Sequence, residues 1–517
     1  MRWIFVLILF LVAGTVRAAE PQPPFFIADK CPAGTILPEG VAADCGTVTV
    51  LEDRARPDGP RIRLRVATLR RTDRELRPDP LLFIQGGPGG PAGLDAAGLS
   101  GWAKAVRISD WLAAQRLVLF DQRGVGESRL LPIPCEALVH QARQTILDHM
   151  QPPETVRRAA TRKSMESCWA RFRQAGHDPG LITTASIAAD VEDLRLALGH
   201  PTWNLWGSSF GSRVAMTVMR DHPQGLRSVI LESVLPPEAN VYDDAASSGE
   251  AFDALVRACR ASAACNENYP DLERRFLALA DRLDAAPLTI PISEDSTARI
   301  DGWMFRDFAI GMLRTPADAM FVPFLIDELE TNQTRVITAG KRLELQKVEA
   351  MGAAMSHAVH ASISCADLTP ADPGWVEKAR GHDPRFAAQM WDVTADGDCG
   401  MWPVPHSPAS DAAPVTSDIP ALLISGALDP QTPPSWAEAA VKRLANGHSY
   451  VFPAYGHGVL YYGEPCAGMI AGSFLDDPSR RPDDSCIADL RPLVFAPPPP
   501  RQRSAPSAAG AKAPSGG

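Results

Sequence analysis

The sequence predicts an α/β protein, a mostly parallel sheet flanked by helices and interrupted by one large, mainly helical insertion. Three observations carry that expectation. Short, nearly unbroken apolar runs recur: "PLLFIQ" (80–85), "RLVLFD" (116–121), "WNLWG" (203–207), "LRSVILES" (226–233), "PALLISG" (420–426) and "SYVFPAYG" (449–456). Such runs suit strands buried on both faces of a parallel sheet. Helical patterns lie between them. "SIAADVEDLRLALG" (186–199) spaces Ile187, Val191, Leu194 and Leu198 at helical intervals and stops at Gly199, and "FGSRVAMTVMRDHP" (210–223) stops before Pro223. Third, the strand rhythm breaks between about Pro237 and Pro414, where Ala-, Leu- and Met-rich helical patterns and four cysteines take over. Strand and helix in alternation is the α/β signature, and one long break reads as an insertion between two sheet strands.

Along the chain, Met1-Arg2 precedes "WIFVLILFLVAGTV" and then "VRA". A charged start, a short apolar run and small residues at Val16 and Ala18 read as a secretory signal cleaved after Ala18; a retained membrane anchor is the alternative. "GTVTVLED" and "RIRLRVATLR" alternate apolar and polar residues, as antiparallel strands do. The expected division is a signal over 1–18, a first core part over 19–236, a helical cap over 237–413, a second core part over 414–495 and a tail over 496–517. The tail is rich in Pro, Ser, Ala and Gly and cannot bury a core of its own.

A formal net charge of −10 supplies no basic footprint for nucleic acid or an anionic membrane surface. Ten cysteines agree with export to a periplasmic or extracellular, oxidising compartment. Proximity along the chain suggests Cys31–Cys45, Cys135–Cys168, Cys259–Cys265, Cys365–Cys399 and Cys466–Cys486, although spacing alone does not fix connectivity. No cysteine spacing resembles a zinc ribbon. His357 and His360 in "HAVH" share a helical face but find no third ligand, so neither metal nor organic cofactor is expected.

The chemistry centres on "NLWGSSFGSRVA" (204–215). Gly207-Ser208-Ser209-Phe210-Gly211 matches G-x-S-x-G, with a strand before it and a helix after it. A nucleophilic serine on so tight a turn brings the residues two positions away against neighbouring backbone, and glycine removes the collision. Ser209 is the central serine; Ser208 is its neighbour. A serine hydroxyl needs a base, and the base an orienting acid, in the chain order Ser, Asp or Glu, His. Asp429 in "LLISGALDPQTP" and His457 in "YVFPAYGHG" follow the last two apolar runs. Both fall at C-terminal strand ends, where open α/β sheets place their sites. Asp418 precedes its strand and His448 begins one, so both sit at the wrong end. Oxyanion donors are expected from Phe210 N–H and from the glycine loop "FIQGGPGGPAG", with Gly87 preferred and Gly86 the nearest alternative. In "LFDQRGVGES", Asp121 and Arg123 read as structural, Arg123 pairing with a carboxylate beside that loop.

Together "GGPGG" (86–90), "DQRGVGES" (121–128), "GSSFGS" (207–212), "DPQTP" (429–433) and "GHG" (456–458) resemble the α/β-hydrolase serine peptidases related to proline iminopeptidase. The likeness is closer to secreted tripeptidyl aminopeptidases with a C-terminal TAP-like segment, and runs from roughly Cys31 to Val494. It implies an α/β-hydrolase fold, peptide substrates cut from free N-termini, and a triad of Ser209, Asp429 and His457. Two departures touch specificity rather than the triad: Gln85 stands where iminopeptidases usually carry His, and Phe210 where Trp or Tyr is commoner. An exopeptidase must also bind the substrate ammonium, for which Glu232 and Asp367 are the candidate carboxylates. Two other readings compete: an esterase using the same triad, and a non-catalytic binding protein on the same fold.

Overall fold

The computed structural model describes residues 22–498 apart from 132–134, 136–153, 241–242, 295–296, 373 and 388–397. The expected signal, and the tail from 499 onward, lie outside the described residues. Eleven strands are described: β1 (Phe25–Asp29), β2 (Val41–Leu51), β3 (Arg61–Arg71), β4 (Leu81–Ile84), β5 (Arg116–Phe120), β6 (Trp203–Ser208), β7 (Leu226–Glu232), β8 (Leu288–Pro291), β9 (Thr297–Ile300), β10 (Ala421–Gly426) and β11 (Gly447–Phe452). Nine form one sheet in the order β1-β2-β3-β5-β4-β6-β7-β10-β11. From β5 onward every pairing is parallel, while β1, β2 and β3 form an antiparallel edge, as "GTVTVLED" and "RIRLRVATLR" lead one to expect.

The parallel strands are buried on both faces because both faces are apolar. Along β4, Leu82 and Ile84 join the core on one face and Leu81 and Phe83 the core on the other. Along β6, Trp203 and Leu205 face one way and Trp206 the other. Trp206 packs on Phe83 at a ring-centroid distance of 4.5 Å and on Trp111 at 5.1 Å. Helix Thr184–Ala197 begins where Thr183 Oγ1 accepts from Ser186 N and Ser186 Oγ caps in return, so the two satisfy both ends of a capping box. Helix Phe210–Asp221 leaves β6 without a side-chain cap, and nearly all of it is buried.

The long break lies between β7 and β10, which are parallel neighbours. It is mainly helical but also holds the β8–β9 antiparallel hairpin, which its sequence pattern did not announce. Phe252, Phe276, Phe305 and Phe386 centre a separate apolar core there. The helix His357–Ile363 instead returns to the sheet, placing Val359 and Ile363 in the sheet's own core. The C-terminal end packs on the insertion: Ala496 N donates to Met320 O and its carbonyl accepts from Tyr269 Oη at 2.8 Å. The packed chain thus reaches Ala496, the first residue of the expected tail. The five cysteine pairs suggested by proximity are the five the structure forms.

The "DQRG" turn after β5 braces the sheet's C-terminal side. Arg123, fully buried, forks onto Asp190 with two 2.7 Å bonds and also donates to Glu52 O and Leu181 O. Asp121 accepts from Ala92 N and Glu127 N at 2.8 Å each, fastening the end of the glycine loop. Burial pushes its carboxyl up to about 6 against the pull of those two donors. Breaking a buried pair leaves an uncompensated charge. Arg123→Met leaves Asp190 with Arg54 alone and is expected to cost about 3 kcal/mol in urea denaturation. Arg123→Lys, which cannot make the fork, recovers little of it. A loss within experimental error contradicts the bracing role.

Candidate active site

Ser209 sits between the buried end of β6 and the first turn of helix Phe210–Asp221, with φ 57° and ψ −126°. A non-glycine residue in that region is strained and persists only where its surroundings hold it. Ser209 N donates to Glu232 O at 2.9 Å, and Ser209 O accepts from Ser212 N at 2.8 Å and Ser212 Oγ at 2.6 Å. The steric reason for the flanking glycines is visible. A Cβ on Gly207 would stand 2.3 Å from Gly211 O, and one on Gly211 would stand 2.0 Å from Ile84 O. Ser208 is different: it is the last residue of β6, buried in the sheet and paired in register with Glu232.

Asp429 follows β10 and is fully buried. His457 follows β11, its side chain 13% exposed. His457 Nδ1 lies 2.8 Å from Asp429 Oδ2 and 3.0 Å from Oδ1. Asp429 also accepts from Gln431 N at 2.9 Å, Thr432 N at 3.0 Å and Thr432 Oγ1 at 2.6 Å. Burial acts to raise the Asp429 carboxyl, but His457 and these donors outweigh it, leaving it below the ordinary carboxylate range. Asp429 therefore stays charged while unpaired carboxylates titrate. Its stabilising contribution is present above the unfolded carboxylate range and is lost only as pH falls through its own lower value. Among the described residues no hydrogen bond joins Ser209 Oγ to His457, a contact that is often long without substrate.

The glycine loop lies against Ser209. A Cβ on Gly86 would stand 2.7 Å from Ser209 Cβ and 3.3 Å from Phe210 N. Gly87 has φ +125°, a conformation that only glycine adopts without strain. Phe210 is the first helical residue, so its N–H has no acceptor within the helix. The insertion holds this loop from the other side. Ser356 N donates to Gly89 O at 2.9 Å, and His360 Nδ1 to Pro88 O at 3.2 Å. His360 thus serves as a donor to the loop. The same insertion reaches the histidine loop, where His457 N donates to Arg314 O at 3.0 Å.

The two carboxylates considered for a substrate ammonium are engaged elsewhere. Glu232, 0% exposed, accepts from Leu460 N at 2.5 Å, Tyr461 N at 2.8 Å and Trp206 Nε1 at 3.0 Å. It faces the interior because β7 pairs with β6 in a register that sets it beside Ser208. Asp367 accepts from Thr184 N and Thr184 Oγ1 at 2.6 Å each, and from Ser407 Oγ. It ties the insertion to the start of helix Thr184–Ala197. Sequence reasoning also passed over Thr432, three residues past Asp429; the "DPQT" turn was its only signal.

Residues 79–265 match the family described as alpha/beta hydrolase fold, and residues 384–486 the family described as TAP-like protein. With the sheet described above, these matches give the chain an α/β-hydrolase fold. The chain is similar to the TAP-like family over that C-terminal segment. It is 30% identical over 234 residues to a tripeptidyl aminopeptidase of Streptomyces coelicolor, covering 43% of this chain and 41% of that relative. The match thus spans about two fifths of that relative's length. It is 24% identical over 493 residues to the serine protease Hip1 of Mycobacterium tuberculosis, covering 90% of this chain and 91% of that one. A proline iminopeptidase of Aeromonas sobria is 30% identical over 210 residues, 40% of each chain.

The elbow geometry makes a paired prediction. Gly211→Ala forces a methyl against the Ile84 carbonyl and is expected to destabilise by about 1–3 kcal/mol or more. Gly101→Ala, in helix Ala96–Ile108 where a Cβ meets nothing within 4 Å, is expected to be neutral or stabilising by up to about 1 kcal/mol. Thermal melts of the two variants check both signs.

Proposed function

We propose that the chain is an exported serine aminopeptidase of tripeptidyl or prolyl type, cutting peptides from free N-termini through an acyl-enzyme. The observation that carries this reading is the Asp429–His457 pair. It lies at the same end of the parallel sheet as the strained Ser209 elbow, in a chain whose relatives include proteins named for that activity. Export rests on the apolar leader and on the five disulfides.

In this mechanism Ser209 Oγ attacks the scissile carbonyl while His457 Nε2 takes its proton. Asp429 accepts the Nδ1 proton, fixing the tautomer and stabilising the imidazolium. The N–H groups of Phe210 and Gly87 donate to the oxyanion, assisted by the positive end of the Phe210 helix. His457 then protonates the leaving amine, and water, deprotonated by the same imidazole, releases the acyl group. Because Glu232 and Asp367 are engaged internally, recognition of the substrate ammonium falls to other groups. The insertion, which touches both the glycine loop and the histidine loop, limits access to substrates with a free chain end.

The test is hydrolysis of Pro-, Ala- and tripeptidyl-anilides beside a short p-nitrophenyl ester. Cleavage of anilides is expected to disappear on N-acetylation of the substrate and in Ser209→Ala. Asp429→Asn is expected to lower kcat by about 10⁴-fold with the circular dichroism spectrum unchanged. Cleavage of the ester alone would replace the peptidase reading with an esterase. Full activity in Ser209→Ala would overturn the site.

A further inference from the structure

We propose that Glu232 is a positioning residue that sets the histidine loop against the serine elbow; this rests on the triad reading above. Glu232 is the last residue of β7, which lies directly beside β6. Its two ends face the two halves of the site. Its main-chain carbonyl accepts from Ser209 N, one of the bonds that hold the strained elbow. Its carboxylate accepts from Leu460 N and Tyr461 N, three and four residues after His457. The other carboxylate oxygen is fixed by Trp206 Nε1, and Trp206 belongs to β6, three residues before Ser209. Ser233 adds a second tether: its Oγ accepts from Gly458 N, adjacent to His457, at 2.9 Å. Ser233 and Ser209 both take positive φ, 49° and 57°.

Two residues in sequence therefore span the gap between nucleophile and base, each bonding a loop 225 or more residues away along the chain. Burying a carboxylate is costly unless donors satisfy it. Here three N–H donors do so, and two of them belong to the loop that carries His457. Burial raises the Glu232 carboxyl above its ordinary range, and its donors and the nearby His457 offset this only in part. Glu232 touches no substrate; it acts through the placement of His457 and Ser209.

Glu232→Gln tests this. The amide keeps one acceptor for the loop but points N–H groups at the Trp206 donor. Both proteins are titrated with a fluorophosphonate, so that kcat is expressed per reactive Ser209. The expected result is a kcat per titrated site reduced about 10- to 100-fold, with KM little changed. A merely structural role would lower the melting temperature and the titratable fraction and leave kcat per site intact, which overturns the proposal. A raised KM confined to substrates with a free ammonium also overturns it, by returning Glu232 to substrate binding. Should Glu232→Gln fail to fold, Ser233→Ala removes only the Gly458 tether. It is expected to lower kcat per site in the same direction by a smaller factor, and an unchanged value overturns the proposal. If the wild-type protein fails to titrate, the triad reading falls and the positioning role falls with it; a wild type that titrates, beside variants of unchanged kcat, removes the positioning role alone.

Discussion

The strained turn at Ser209 is the constraint on which the rest of the site depends. A serine with φ 57° at the end of a buried strand is unfavourable by itself, and the surroundings must over-determine it. Three close approaches do so. Gly207 lies under Gly211 O, Gly211 lies under Ile84 O, and Gly86 lies against Ser209 Cβ. Each position admits only glycine. The result sets the serine just past the C-terminal end of β6, beside the glycine loop and at the positive end of a helix. Ser208, one residue earlier, stays locked in the β6–β7 ladder.

The insertion does more than cover this arrangement. Its helix His357–Ile363 packs into the sheet's core and bonds Pro88 and Gly89, so the glycine loop is held from both sides. Its turn Met312–Arg314 bonds the His457 backbone, and a Cβ on Gly456 would stand 2.1 Å from Leu313 O. Leu428, next to Asp429, packs into the insertion's own core. The buried Arg213 of the Phe210 helix donates to Pro236 O, Ala239 O and Asp367 O, tying that helix to the start of the insertion and to the Asp367 turn within it. Geometry at the site is therefore coupled to the packing of the insertion. Residues far from Ser209 are in a position to affect turnover without touching substrate.

The sheet and the positions of the candidate Ser209, Asp429 and His457 were legible because their signals are local. A strand buried on both faces must be apolar throughout, and a tight elbow must have glycines at fixed offsets. An acid and a histidine just past late strands can be read directly. The short elements were not legible: β1, "FFIAD", is half-exposed at an edge, and "LTIP" and "TARI" are four residues each inside helical sequence. The partners of Glu232 were not legible for a different reason. The sequence marks an acid at a strand end, but whether it faces a pocket or the interior depends on the β6–β7 register. It depends as well on a loop 228 residues away that folds back to donate two N–H groups. Asp367 is likewise taken up by Thr184, 183 residues earlier. Long-range partners of this kind leave no mark in the local pattern.

The central claim is that Ser209, activated by His457, is the nucleophile. It is tested most directly by labelling the protein with a fluorophosphonate and mapping the adduct by peptide mass spectrometry. The account predicts a single adduct on Ser209, formed far more slowly in His457→Ala. An adduct on Ser208, or labelling of Ser209 at the same rate without His457, would contradict it.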